Sequence, residues 1–64
     1  MSEKFEVEVE VIRETDKALL VSVEGEEIWI PISQIDDDSE VYNMETGPGT
    51  LIIPMWLALE KGLV

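Results

Sequence analysis

The chain has 64 residues, of which 45% are hydrophobic, and its 15 acidic and four basic residues give a formal net charge of −11. This length fits one small domain over residues 1–64, and the apolar content is too high for a disordered chain. The charge argues against direct binding to nucleic acid or an anionic membrane, because such binding depends on Lys and Arg. The absence of Cys and His excludes disulfides and the usual zinc ligand sets.

Targeting and membrane-spanning segments are not evident in the sequence. Residues 1–6 lack the basic and apolar parts of a signal peptide. The longest apolar run, residues 51–59, is far shorter than the roughly 20 residues that a transmembrane helix needs. We therefore expect a soluble, cytoplasmic protein.

Three segments are predicted to form an antiparallel meander. Hydrophobic and acidic residues alternate over residues 4–13, which is typical of a half-buried strand. Residues 17–23 and 26–30 are two further strands, and the intervening Glu24-Gly25 pair favours a two-residue type I′ hairpin.

The loop lengths predict the pairing of these strands. A two-residue loop at Glu24-Gly25 predicts the pairs Val23–Glu26, Val21–Ile28, Leu20–Trp29 and Leu19–Ile30. A three-residue loop at residues 14–16 predicts the pairs Val11–Leu19 and Val9–Val21. One face of the meander would then carry Phe5, Val7, Val9, Val11, Leu19, Val21, Ile28 and Ile30.

The opposite face of the meander is expected to divide into a polar and an apolar end. Its polar end would hold Glu6, Glu8, Ser22 and Glu27, and its apolar end would hold Ile12, Ala18, Leu20 and Trp29. A fully solvated face would not need such an apolar cluster. We expect that either the C-terminal segment or a second subunit covers it.

Residues 31–49 are predicted to form turns and loops, in which residues 41–44 either form a short strand or pack the loop onto the domain. Pro31 ends the third strand, and residues 32–35 fit a 3₁₀ turn. The side chains of Ser33 and Gln34 would satisfy backbone groups there, or Gln34 would contact a partner. The acidic residues 36–40 resemble a calcium loop in spacing but lack its glycine and its final glutamate, so a solvated loop without a metal site is expected.

The C-terminal part is predicted to contain a short strand over residues 50–53 and a helix from Pro54 to Lys61. The helix is apolar on almost all sides, whereas a surface helix normally has a polar side. A monomer of this size cannot bury it fully, so we expect a homodimer or larger oligomer. The expected interface consists of Ile12, Leu20, Trp29, Met55, Trp56 and Leu59.

These elements together predict an α+β, mainly β fold. The three-stranded antiparallel meander would curl into a small open, SH3-like barrel, to which the fourth short strand and the C-terminal helix are added.

Several segments of the sequence resemble a group of short proteins from bacteriophages and bacterial mobile elements. The similar residues lie between about 15 and 63, and the most distinctive motif is Trp-Ile-Pro-x-Ser-Gln-Ile at residues 29–35. The other similar segments are residues 17–21, 27–28, 49–51, 56–58 and 61–63. No activity is assigned to that group, so the resemblance implies a phage or prophage accessory protein and no functional residues.

An enzyme is not expected, because without His or Cys no pairing of a nucleophile with a base is visible, and no cofactor is indicated. We expect an accessory protein that binds a host protein, and inhibits or modulates it. The acidic residues would serve solubility alone, attract a basic partner, or in the sharpest version imitate a polyanion. The expected binding residues are Glu6, Glu8, Glu10, Glu24, Glu26, Glu27, Asp36, Asp37 and Asp38.

Two alternatives to this function are open at the level of sequence. The protein would be an oligomer that binds nucleotides if Arg13 and Lys17, which flank the first turn, hold a phosphate together. It would otherwise be a purely structural oligomerising domain. Nucleotides would stabilise the first, whereas the second would show neither nucleotide binding nor a salt-dependent protein partner.

Overall fold

The structure is a computed structural model that describes residues 3–64. Its elements in chain order are β1 (Lys4–Glu14), β2 (Ala18–Val23), β3 (Glu26–Pro31), a 3₁₀ turn (Ile32–Gln34), β4 (Gly49–Pro54) and α1 (Met55–Glu60). The four strands form one antiparallel sheet in the order β3-β2-β1-β4, and β3 and β4 do not pair. The prediction of a mainly β fold with one C-terminal helix is confirmed, and the unclosed sheet is compatible with a small open barrel.

Strand β1 is the element that both halves of the sheet share. Its N-terminal half, Lys4 to Val9, pairs with β4, whereas its C-terminal half, Glu10 to Glu14, pairs with β2. A β-bulge at Ile12 adds one residue to β1 between the pairs that Val11 and Arg13 form. Bulges bend a strand and increase its twist, which favours the curling of the sheet around its inner face.

The β2–β3 hairpin has the predicted register. Glu24 and Gly25 have φ angles of 51° and 88°, and a type I′ turn requires positive φ at both central positions. Val21 lies opposite Ile28 and Leu20 lies opposite Trp29, and the remaining predicted pairs are also present.

The predicted register between β1 and β2 is wrong by two residues. Val11 lies opposite Val21 rather than Leu19, and Glu14 lies opposite Leu19. The turn is shorter than predicted because the Thr15 side chain closes it onto Ala18. The Thr15 hydroxyl accepts from the Ala18 N–H at 3.1 Å and donates to the Ala18 carbonyl at 3.2 Å. A shift of two residues leaves the side chains up to Val11 on their predicted faces, whereas the bulge at Ile12 moves Arg13 to the face that Leu20 occupies.

The core lies between the inner face of the sheet and α1. Its buried members are Val9, Leu19, Val21, Val23, Ile30, Val41, Leu51, Ile53, Leu57 and Ala58. Since α1 contributes Leu57 and Ala58 to this core, the helix lies on the inner side of the sheet. The C-terminal segment therefore does not cover the apolar end of the opposite face, where 42% of Trp29 is exposed.

Residues 35–48 form no regular strand, and their first part covers the outer edge of β4. The Asp36 N–H donates to the Ile52 carbonyl at 2.8 Å, and the Glu40 N–H donates to the Thr50 carbonyl at the same distance. The Ser39 hydroxyl accepts from the Ile52 N–H at 2.8 Å and donates to the Ile52 carbonyl at 3.1 Å. Val41, a candidate for a further strand, instead packs this segment onto the core.

Candidate protein-binding surface

The sheet has a second, uncovered face, which we call the outer face. It is defined by the residues that pair across the strands but point away from the core: Glu6, Glu8 and Glu10 of β1, Ala18, Leu20 and Ser22 of β2, and Glu27 and Trp29 of β3. The pairs Glu10–Ser22 and Ser22–Glu27 make one row across three strands, and Arg13–Leu20 and Leu20–Trp29 make the next. The outer face thus has an acidic end beside an apolar end, as the sequence predicts.

The acidic end consists of exposed carboxylates at regular spacing. Glu6, Glu8 and Glu10 are all exposed and succeed one another along β1 at about 6.7 Å, two residues of a strand. Glu27 is exposed on β3 in the same row as Glu10, two strand spacings or about 9.6 Å away. These four carboxylates form one acidic surface, which Lys4 borders at the start of β1.

The other predicted acidic residues lie elsewhere. Glu24 is in the hairpin turn, and Glu26 pairs with Val23, whose side chain is on the inner side. Residues 36–38 lie beyond β4, at the edge of the sheet opposite to β3. The nine predicted residues therefore do not form one continuous site, because sequence proximity does not show which strand a loop returns to.

Asp36 is engaged within the protein. Its carboxylate forms an ion pair with the Lys4 ammonium group and accepts a hydrogen bond from the Asp38 N–H at 2.9 Å. The hydrogen bond from Lys4, followed by that from the Asp38 backbone, lowers the pKa of Asp36, and the same pair raises the pKa of Lys4. This contact joins the loop that covers β4 to the start of β1, and we assign it a structural role.

The apolar end of the outer face is centred on Trp29. The bulge at Ile12 places Arg13, rather than Ile12, opposite Leu20, so the row contains a cation beside the tryptophan and leucine. Ile12 itself is 36% exposed and borders a shallow recess together with Met44. The sequence prediction missed Arg13 because alternation alone cannot locate a bulge.

The predicted self-association residues lie on two sides of the molecule. Trp29 and Leu20 are on the outer face, whereas Trp56 and Leu59, 54% and 59% exposed, project from the helix on the inner side. Met55 is half-buried against the core. A single two-fold interface uses the same patch on both subunits, so these two groups do not belong to one such interface.

The two cations of the nucleotide-binding alternative border different recesses. Arg13 lines a recess with Glu14 and Asp16, and Lys17 lines another with Asp16 and Pro31. Each recess contains a carboxylate that would repel a phosphate. The geometry therefore does not favour a shared phosphate site.

The prediction that the Ser33 and Gln34 side chains satisfy backbone groups after β3 is wrong. Within residues 3–64, the side chains of Ser33 and Gln34 make no hydrogen bond with the protein, and the 3₁₀ turn is closed by the Ile35 N–H, which donates to the Ile32 carbonyl at 3.1 Å. Glu40 accepts from the Thr50 N–H at 2.9 Å. In the described part of the chain, no three His, Cys, Asp or Glu side chains are placed to hold a metal ion.

No helix within residues 3–64 is both long enough and apolar enough to cross a membrane. No protein-family model, no curated protein and no solved structure matches this chain.

Proposed function

We propose that this protein acts by binding another protein through its outer face, and that it thereby inhibits or modulates its partner. The observation that carries this proposal is that an exposed tryptophan and a row of exposed carboxylates share one face of a paired sheet that nothing in residues 3–64 covers. Such a face offers an aromatic anchor beside a charged region.

The two ends of the face would contribute differently to binding. Exposed Trp side chains on well-ordered elements are frequent anchors of interfaces, since they bury a large area and lose little conformational entropy. The carboxylates would attract a basic partner over a distance and fix its orientation. We infer a partner whose surface has an apolar pocket next to a Lys- or Arg-rich region.

The biological setting of this proposal comes from the sequence resemblance. The similarity of residues 15–63 to short phage and mobile-element proteins supports an accessory protein that acts on a host protein, in the host cytoplasm. The acidic end supports imitation of a polyanion only in part, because three carboxylates about 6.7 Å apart have half the charge density of one DNA strand.

Self-association stays a prediction, and the exposed helix residues Trp56 and Leu59 are its best candidates. They leave the outer face free for the partner, since they lie on the inner side of the sheet. Light scattering over a dilution series tests it: a mass that falls to the monomer in Leu59→Gln supports this surface, and a monomeric wild type at all concentrations contradicts it.

Capture from a bacterial extract with two matched pairs of variants tests the proposed function. Glu8→Gln/Glu10→Gln changes the outer face, and Glu45→Gln/Glu60→Gln removes the same charge from exposed positions elsewhere. Trp29→Ala is matched by Trp56→Ala. We expect a protein that wild type and both controls retain, that both outer-face variants lose, and that salt releases.

Three outcomes would contradict the proposal. These are a failure to retain any protein, retention of the same protein by both outer-face variants, and an equal loss in the two charge variants, which would show that only net charge matters.

A further inference from the structure

The two edges of the sheet differ. The edge of β4 that does not pair with β1 is covered by residues 36–41, which form hydrogen bonds with the Thr50 and Ile52 backbone groups. Strand β3 is the other edge of the sheet and pairs only with β2. An edge strand with unpaired backbone groups is a template for the addition of another strand.

The backbone groups on the free edge can be identified from the pairing. In an antiparallel pair, hydrogen-bonded and non-hydrogen-bonded residue pairs alternate. The Ile32 N–H donates to the Lys17 carbonyl at 2.9 Å, so the pairs of the same parity, including Val21–Ile28 and Val23–Glu26, are the hydrogen-bonded ones.

Glu27 and Trp29 form the non-hydrogen-bonded pairs with β2, so their N–H and C=O groups point away from β2. Within residues 3–64 no backbone or side-chain group bonds to them. Four backbone groups are therefore available at this edge.

We propose that the β3 edge binds an extended, basic segment of the partner as an added antiparallel strand. This inference rests on the proposed function and specifies how the partner is held. The added strand would place a Lys or Arg beside Glu27 and an apolar residue beside Trp29, two positions apart, because directly opposed residues share a face. Main-chain hydrogen bonds to Glu27 and Trp29 would hold its backbone.

The charges of the edge determine the class of occupant. A second copy of this chain would bring its own Glu26 and Glu27 to the same edge and would add a second net charge of −11, which is repulsive. A cationic strand would find complementary charge. Pro31 has no N–H and therefore limits the pairing to a short contact.

A six-residue peptide, blocked at both ends, tests this edge without knowledge of the partner. Its sequence is Lys-Thr-Val-Thr-Lys-Thr, so the side chains on one face of the extended peptide are lysine, valine and lysine in either strand direction. Two matched derivatives are N-methylated, one at the valine and the second lysine, whose N–H groups would face the Trp29 and Glu27 carbonyls, and one at the two threonines that follow them. The two have the same charge and the same side chains.

The readout is the amide spectrum of ¹⁵N-labelled full-length protein during titration with each peptide. We expect the largest shifts at the Glu27 and Trp29 amides, with a Kd at least tenfold weaker for the peptide methylated at valine and the second lysine than for the threonine-methylated one. Shifts confined to Glu6, Glu8 and Glu10, or equal Kd values for the two derivatives, would overturn the edge proposal and leave the proposed function standing.

Absence of any shift up to millimolar peptide would also overturn the edge proposal. The proposed function is decided separately, by the capture experiment with the outer-face variants, so the two failures are distinguishable.

Discussion

Ser39 closes the β4 edge with a side chain instead of a strand, and its removal has a calculable effect. The residue is 6% exposed, and its hydroxyl is the partner of the Ile52 N–H at 2.8 Å. Ser39→Ala leaves that N–H without a partner, whereas the Ile52 carbonyl keeps its bond from the Asp36 N–H. One half-buried donor left unsatisfied costs about 1–3 kcal/mol, a large fraction of the stability of so small a domain.

Urea denaturation followed by far-UV circular dichroism measures this loss. With a slope of about 1 kcal/mol/M for a small domain, a loss of about 2 kcal/mol lowers the urea midpoint by about 2 M at unchanged slope. Ser33→Ala is the control, because Ser33 is exposed and its hydroxyl has no partner within residues 3–64, and we expect a change within about 0.5 kcal/mol. A Ser39→Ala midpoint equal to that of Ser33→Ala would refute the reasoning.

Three further predictions concern charge and backbone. Lys4 lowers the pKa of Asp36, so the ion pair stabilises the fold above the ordinary Asp pKa of 3.8, and this contribution is lost as pH falls through the lowered value. The difference in the free energy of unfolding between wild type and Asp36→Asn, measured by urea denaturation, should therefore shrink in acid. The raised pKa of Lys4 extends this contribution above pH 10.5, until pH rises through the raised value. Glu8→Gln/Glu10→Gln removes both the Glu6–Glu8 and the Glu8–Glu10 repulsion, each about 0.6 kcal/mol for two charges about 6.7 Å apart in water. Stability should therefore rise by about 1 kcal/mol at low salt, and the gain should disappear at 1 M salt. Gly25→Ala should cost about 1 kcal/mol in the same assay, because φ is 88° there although an added Cβ would meet nothing within 4 Å; an unchanged midpoint would contradict the assigned turn.

The sequence was sufficient to predict those parts of the fold that local chemistry determines. Glu24-Gly25 specifies a type I′ turn, and this turn fixes the β2–β3 register. The helix lies within one residue of its predicted ends, because Pro54 and Gly62 mark them. The alternation of β1 correctly separates the inner from the outer face.

The features that the sequence did not predict depend on contacts between distant segments. The turn after Thr15 is one residue shorter than predicted. The bulge at Ile12 keeps the earlier part of β1 in its predicted alternation, although two residues away from the predicted register, and it places Arg13 on the outer face. The role of Ser39 depends on a partner 13 residues away. The helix packs on the inner side because Leu57 and Ala58 complete the core there, which a nearly uniform apolar sequence could not indicate.

The acidic end of the outer face does not stabilise the isolated domain. Neighbouring carboxylates on one face repel one another, and none of Glu6, Glu8 and Glu10 forms an ion pair within residues 3–64. An isolated domain would be more stable with fewer of them. In the proposed function, this row is the part of the outer face that attracts a basic partner.

The affinity of Trp29→Ala for the captured partner, compared with that of Trp56→Ala by titration calorimetry, tests the central claim most directly. The two variants remove the same exposed side chain from opposite sides of the sheet. If Trp29 is the anchor, its loss should weaken binding by about 30-fold or more, since anchor residues contribute about 2 kcal/mol or more, while Trp56→Ala should bind within about twofold of wild type. Equal affinities for the two variants would contradict binding through the outer face.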